Sequence, residues 1–131
     1  MSQVRVTGGE WRSRLIKVID TPELRPTPGR VRETLFNWLG QDLTGLACLD
    51  LFAGSGILGF EAASRGAAQV VMVERDNKVA ATLCRNAEAL GGGQLELIRA
   101  DALEFAALAA QQGRSFDLAF LDPPYRQHWL D

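Results

Sequence analysis

Beyond residue 45 the chain alternates between short apolar runs and longer segments of helical periodicity, and few architectures accept that order. The runs 46–51, 70–73, 95–98 and 116–121 are almost continuously apolar, as strands are when both faces of their sheet are covered. Between them, 57–65 closes at Gly66, and 77–90 carries Val79, Leu83, Ala87 and Leu90 on one face before three glycines. The stretch 103–112 is an alanine-rich helix. Such repetition predicts an α/β fold: a parallel sheet with helices on both faces. Right-handed crossovers then bring every strand's carboxyl end to one rim, where sheets of this kind bind ligands. The rim segments are 50–56, 74–76, 100–101 and 122–125.

Residues 1–40 read differently. Val4 and Val6, then Leu15, Ile16, Val18 and Ile19, flank the turn-forming Gly8-Gly9 and predict a hairpin or arm. Three prolines in 20–28 make a connection. Val31, Leu35, Trp38 and Leu39 then recur at helical spacing up to Gly40, predicting an amphipathic helix with those residues on its apolar face. This segment holds seven basic and four acidic groups, whereas 41–131 holds seven basic and twelve acidic. A basic extension (1–40) on an acidic domain (41–131) fits a protein in which only the extension meets phosphates. The plainer reading is a solvated charged face.

Several classes drop out. With 131 residues, 47% of them apolar and 23% charged, the chain has room for one packed domain. No apolar stretch approaches the ~20 residues of a membrane span, and the start lacks a signal-peptide core. Cys48 and Cys84 are isolated and His128 is the only histidine, so neither a metal site nor a disulfide is expected. A cytoplasmic location follows.

The first rim segment runs Asp50-Leu51-Phe52-Ala53-Gly54-Ser55-Gly56, with Gly59 completing GxGxxG, and Glu74 lies twenty residues after Gly54. Phe52, Ala53, Gly54, Ser55 and Gly56 form the turn a nucleotide ligand would approach, and Glu74, followed by Arg75, would accept from ribose hydroxyls. The fingerprint alone does not separate NAD from S-adenosylmethionine. Asp50 tilts it, because a carboxylate there suits an ammonium and a sulfonium and repels a pyrophosphate. Asp101 would accept from an adenine amino group beside the Ala102 N–H. The plainer role for Asp50 and Asp101 is capping loops.

The last rim segment is Asp122-Pro123-Pro124-Tyr125. Two prolines have fixed φ and no N–H, so the chain leaves the strand on a stiff extended course. The Pro123 carbonyl and the Asp122 carboxylate then form a pair of acceptors for an exocyclic NH2, with Tyr125 as a stacking surface. Strand ends that stop at Asp and Pro are also common punctuation.

The segments Cys48–Gly56, Val73-Glu74 and Asp122-Pro123-Pro124-Tyr125 resemble the motifs of Rossmann-type S-adenosylmethionine-dependent amino-methyltransferases. More narrowly, Gly8-Gly9-Glu10-Trp11-Arg12-Ser13-Arg14 and the stretch from Arg25-Pro26-Thr27-Pro28-Gly29-Arg30 to Asn37 are similar to the amino-terminal signature of the bacterial RsmD family. That resemblance implies methyl transfer from S-adenosylmethionine to N2 of a guanine in 16S ribosomal RNA, free or in the assembling 30S subunit; the alternatives are an amino-methyltransferase of DNA adenine or protein glutamine, or a fragment that binds cofactor without activity. A monomer without metal is expected. The resemblance implies catalytic roles for Asp122, Pro123, Pro124 and Tyr125, and RNA contacts at Arg12, Arg14, Arg25, Arg30 and Arg32. It also implies a seven-stranded sheet, so a chain ending just past its fourth strand is expected to be a fragment with 116–121 at an apolar edge.

Overall fold

The computed structural model describes residues 2–20 and 26–122. Its amino-terminal hairpin pairs β1 (Ser2–Arg5) with β2 (Leu15–Val18) antiparallel, Ser2 opposite Val18. Helix α1 (Gly29–Leu39) follows. Then come β3 (Ala47–Asp50), α2 (Ile57–Ser64), β4 (Gln69–Glu74), α3 (Asn77–Leu90), β5 (Leu95–Arg99), α4 (Ala102–Gln111) and β6 (Leu118–Phe120). The sheet order is β5-β4-β3-β6, all parallel, as the alternation of the sequence requires.

The two-residue period of the strands divides the apolar residues between two cores. Cys48, Val70, Met72 and Phe120 face α2 and α3 and meet Ile57, Phe60, Val79 and Leu83. Leu49, Leu51, Val71 and Val73 face the other way, onto Ala102, Phe105 and Ala109 of α4. The first core extends into the hairpin and α1: Val6, Trp11, Ile16, Val18 and Phe36 are all buried in it. The extension therefore shares one apolar interior with the sheet.

Local chemistry sets the helix ends. Asp76 caps α3, accepting from the Val79 N–H at 3.0 Å, and Gly91 ends it in the left-handed region. The turn into α2 ends at Gly56, φ 82°, where a Cβ would lie 2.4 Å from Leu83 Cδ2 and 2.7 Å from Phe60 Cε2. Glycine is required there by both conformation and space.

Helix α1 departs from its sequence pattern. Its buried residues are Arg32 and Phe36, while Val31 is 49% exposed, Trp38 82% and Leu39 38%. Only Leu35 of the expected apolar face packs partly against the core. The inner face is chosen by Arg32, which has a charged partner waiting on α2, and by Phe36, which stacks beneath Arg65 (4.4 Å to the ring centroid) and beside Phe120 (5.9 Å between centroids). Hydrophobic periodicity cannot register a buried ion pair.

Candidate active site

Crossovers lead from β3 outward through β4 to β5, and the next strand returns to the other side of β3. A crevice opens where the order reverses, above the carboxyl ends of β3 and β6. Asp50, the last residue of β3, is in register with Phe120, the last of β6. Asp122 follows two residues later and is exposed. On the other side Asp50 is level with Met72, two residues before Glu74. Three carboxylates thus gather at the switch point.

Their environments differ. Asp50 is 2% exposed, and its Oδ2 accepts the Gly59 N–H at 3.1 Å, satisfying a first-turn donor of α2. Burial pushes its carboxyl up to about 7; the Gly59 N–H opposes the rise, and the charges of Asp122 and Glu74 add to it. Glu74 is half-buried: Oε1 accepts from Gly54 N–H and Oε2 from Asp76 N–H, both at 3.0 Å. Its carboxylate ties the glycine turn to the end of β4 and keeps lone pairs for further donors. Ala53 N–H donates to the Val73 carbonyl at 2.9 Å, a second tie, and Ser55 Oγ accepts from Ile57 N–H at 3.3 Å. Phe52 packs against the second core, and Arg75 is exposed.

Asp101 is the N-cap of α4, its Oδ2 accepting from the Leu103 and Glu104 N–H groups at 3.1 Å each. The capping role is therefore real, and Ala102, whose side chain is buried, begins the helix beside it. Next to Glu74 a cleft of about 340 Å³ opens between α3 and β5, floored by Met72, Leu83 and Leu97 with Asn77 and Arg99 at its mouth. The residues fit a nucleoside sulfonium in one physical respect above all: both charges felt by the buried Asp50 are negative, so a cation placed among them is attracted and a pyrophosphate repelled. Among the described residues no group of histidine, cysteine and carboxylate side chains could hold a metal ion, and no helix is long and apolar enough to cross a membrane.

Pro123, Pro124 and Tyr125 lie outside the described residues, as does Arg25. The other arginines assigned to RNA separate. Arg12 and Arg14 sit at the hairpin tip, which packs on the far ends of α2 and α3. There Trp11 N–H donates to Ser64 Oγ at 2.8 Å and Arg14 Nη2 to the Ala89 carbonyl at 3.0 Å. That end is opposite the rim. Arg30 is exposed in the first turn of α1. Arg32 must be withdrawn from the set: it is 4% exposed, with Nε on the Thr27 carbonyl (2.9 Å) and Nη1 on the Arg5 carbonyl (2.8 Å) and Glu61 Oε2 (2.7 Å). Its charge is spent inside the protein.

The sequence reading missed Glu61. Fully buried in α2, it also accepts from Thr7 N–H (2.9 Å), Thr7 Oγ1 (2.7 Å), Gly8 N–H (3.3 Å) and Arg65 Nη2 (3.4 Å), joining hairpin, α1 and α2. A signal existed: a lone glutamate inside the apolar run of α2, four residues before Arg65. Asn86 does similar work from α3, where its amide accepts from Lys17 N–H (3.2 Å) and donates to Lys17 O (2.9 Å), extending β2 with a side chain.

Comparison with known proteins identifies the family and the fold. Ribosomal RNA small subunit methyltransferase D of Escherichia coli K12 is 45% identical over 129 residues, covering 98% of this chain and 64% of that protein. The chain therefore spans just under two thirds of that relative's length. The structure of the putative methyltransferase yhhF from Escherichia coli superposes with a TM-score of 0.85 at 42% identity, over 98% of this chain and 68% of that one. A SAM-dependent methyltransferase from Agrobacterium tumefaciens gives 0.62 at 26% identity, over 72% of this chain and 30% of that one. The fold is the Rossmann-like methyltransferase fold, seen here through four strands of its sheet. The sequence model described as Conserved hypothetical protein 95 matches residues 4–130, and the chain belongs to that family, in which the RsmD-type motifs of its sequence also place it.

Proposed function

We propose that the chain carries the cofactor and acceptor rim of an S-adenosylmethionine-dependent methyltransferase acting on N2 of a guanine in 16S ribosomal RNA. The observation that carries this reading is the convergence of Asp50, Glu74 and Asp122 at the switch point, two of them held in place and the third exposed. The names of the relatives and the amino-terminal motif support the choice of RNA. The protein acts as a monomer in the cytoplasm, on free RNA or the assembling subunit.

Glu74 would hold the ribose, the Gly54–Gly56 turn and Asp50 the amino-acid end, and Asp101 with the Ala102 N–H the adenine. Bound there, S-adenosylmethionine supplies an electrophilic methyl on a sulfonium. The chain's own task is to make a poor nucleophile attack. An exocyclic guanine nitrogen delocalises its lone pair into the ring. Asp122, accepting one of its N–H groups, draws that nitrogen toward tetrahedral geometry and aims the lone pair. The same carboxylate stabilises the positive charge that the nitrogen acquires and lies ready to take its proton afterwards. Holding both reactants on one rim supplies much of the remainder. The base must be turned out of its surroundings, at a cost of a few kcal/mol. Arg30, and at the far end Arg12 and Arg14, would meet phosphates.

Labelled methyl incorporation into 30S particles lacking the modification tests the reading, with DNA and a protein substrate in parallel. Asp122→Ala should lower incorporation by at least ~100-fold while leaving cofactor affinity within a few-fold. Equal loss of both, or preferred transfer to DNA, would overturn it.

A further inference from the structure

We propose that Arg32 is a positioning residue for this reaction: through Glu61 it fixes the turn at 27–29 as the wall of the acceptor site beside Asp122. The inference rests on the methyltransferase reading above. Two sets of contacts lead to it.

The first set places the turn. The Phe36 ring lies 5.9 Å from that of Phe120, which is in register with Asp50 and two residues before Asp122. After α1 the chain descends to Leu43, whose N–H donates at 2.9 Å to the Arg65 carbonyl at the far end of α2. Helix α1 therefore runs away from the rim. Arg32 pairs with Glu61 and Phe36 lies under Arg65, so α1 and α2 run in the same sense, and Gly29, seven residues before Phe36, lies about 10 Å nearer the rim along the helix. The turn that opens α1 thus flanks the mouth of the crevice.

The second set shows what holds it. The three bonds of Arg32 diverge: to the Thr27 carbonyl in the turn itself, to the Arg5 carbonyl in the hairpin and to Glu61 on α2. Helix α2 begins at the cofactor turn, so Glu61 links the wall of the acceptor site to the element that shapes the cofactor side. The turn has no capping side chain of its own: Pro28 stands at the N-cap with no side-chain hydrogen bond, and no acidic residue lies in the first turn. Arg32 is what secures it. A guanidinium can serve three diverging acceptors at once; an ammonium on a flexible stem cannot keep that geometry.

The test compares Arg32→Lys with wild type in the protein, and uses Arg30→Ala as a reference for a phosphate contact. Arg32→Lys should lower kcat at least ~10-fold with cofactor affinity within two-fold, because misplacement of a wall costs turnover rather than cofactor binding. Its dependence of RNA binding on salt should keep the wild-type slope, whereas Arg30→Ala should flatten it by about one. Amide exchange at Thr27 and Gly29 should speed up in Arg32→Lys. Glu61→Gln, which keeps the shape and removes the charge, should reproduce the same pattern and serves if Arg32→Lys does not fold. An unchanged kcat, a slope flattened as in Arg30→Ala, or unaltered exchange at 27–29 overturns the proposal. If wild type transfers no methyl to 30S particles, the functional reading fails, and the exchange measurement still decides whether Arg32 holds the turn.

Discussion

Asp50→Asn is the substitution whose outcome the structure fixes most closely. Burial first, and then the charges of Asp122 and Glu74, move the carboxyl from 3.8 to about 7 against the opposing effect of the Gly59 N–H. The folded protein thus holds a proton that the unfolded chain has released between about pH 4 and 7, so stability falls as pH rises through that window. The stabilising contribution is fully present below 3.8 and gone above about 7. Such a displacement corresponds to on the order of 4 kcal/mol at its limit. Asparagine keeps an oxygen for the Gly59 N–H and cannot ionise. Urea denaturation of both proteins from pH 3.5 to 8.5 should find them close at the acid end and the variant more stable by about 4 kcal/mol at the alkaline end. A sulfonium donor should also bind wild type more tightly as pH rises through 7, and its neutral thioether product less so. A stability difference independent of pH would refute the assignment of the proton to Asp50.

Three further outcomes follow from the packing. Phe36→Ala removes a fully buried ring between Arg65 and Phe120 and should cost about 3–5 kcal/mol, read as a lower midpoint with an unchanged slope in denaturant. Gly56→Ala places a Cβ 2.4 Å from Leu83 on a φ of 82°; it should lose at least ~2 kcal/mol and weaken cofactor binding with it, both measurable by calorimetry. Asp101→Ala removes the cap of α4 at about 1 kcal/mol, whereas Asp101→Asn should retain most of it; an adenosine-affinity loss common to both would mark the carboxylate as the adenine partner.

The sheet was open to reading because its signals are local. Apolar runs and glycine stops each lie within a few residues of what they determine, and α3 begins and ends where its periodicity begins and ends. The rim followed from topology, since parallel strands separated by helices leave one arrangement of their carboxyl ends. What escaped was carried by pairs distant in sequence. Arg32 looks like any basic residue on a helix until Glu61, 29 residues later, is seen opposite it. The apolar face of α1 was misjudged for the same reason, because Val31 and Trp38 satisfy the helical period and nothing local marks Arg32 as the residue turned inward. The hairpin tip gives no hint of its place either, since Trp11 and Arg14 find Ser64 and Ala89 across more than fifty residues.

That placement makes α3 a measuring rod. Arg14 grips its final turn and Glu74 stands just before its first, and fourteen residues at 1.5 Å each separate them by about 21 Å. No free nucleoside spans such a gap; an RNA meeting both Arg14 and the rim, as proposed above, would have to fold over the flank of the molecule. Small soluble analogues would then report on the rim alone, and a contact at the tip would show only with a large partner.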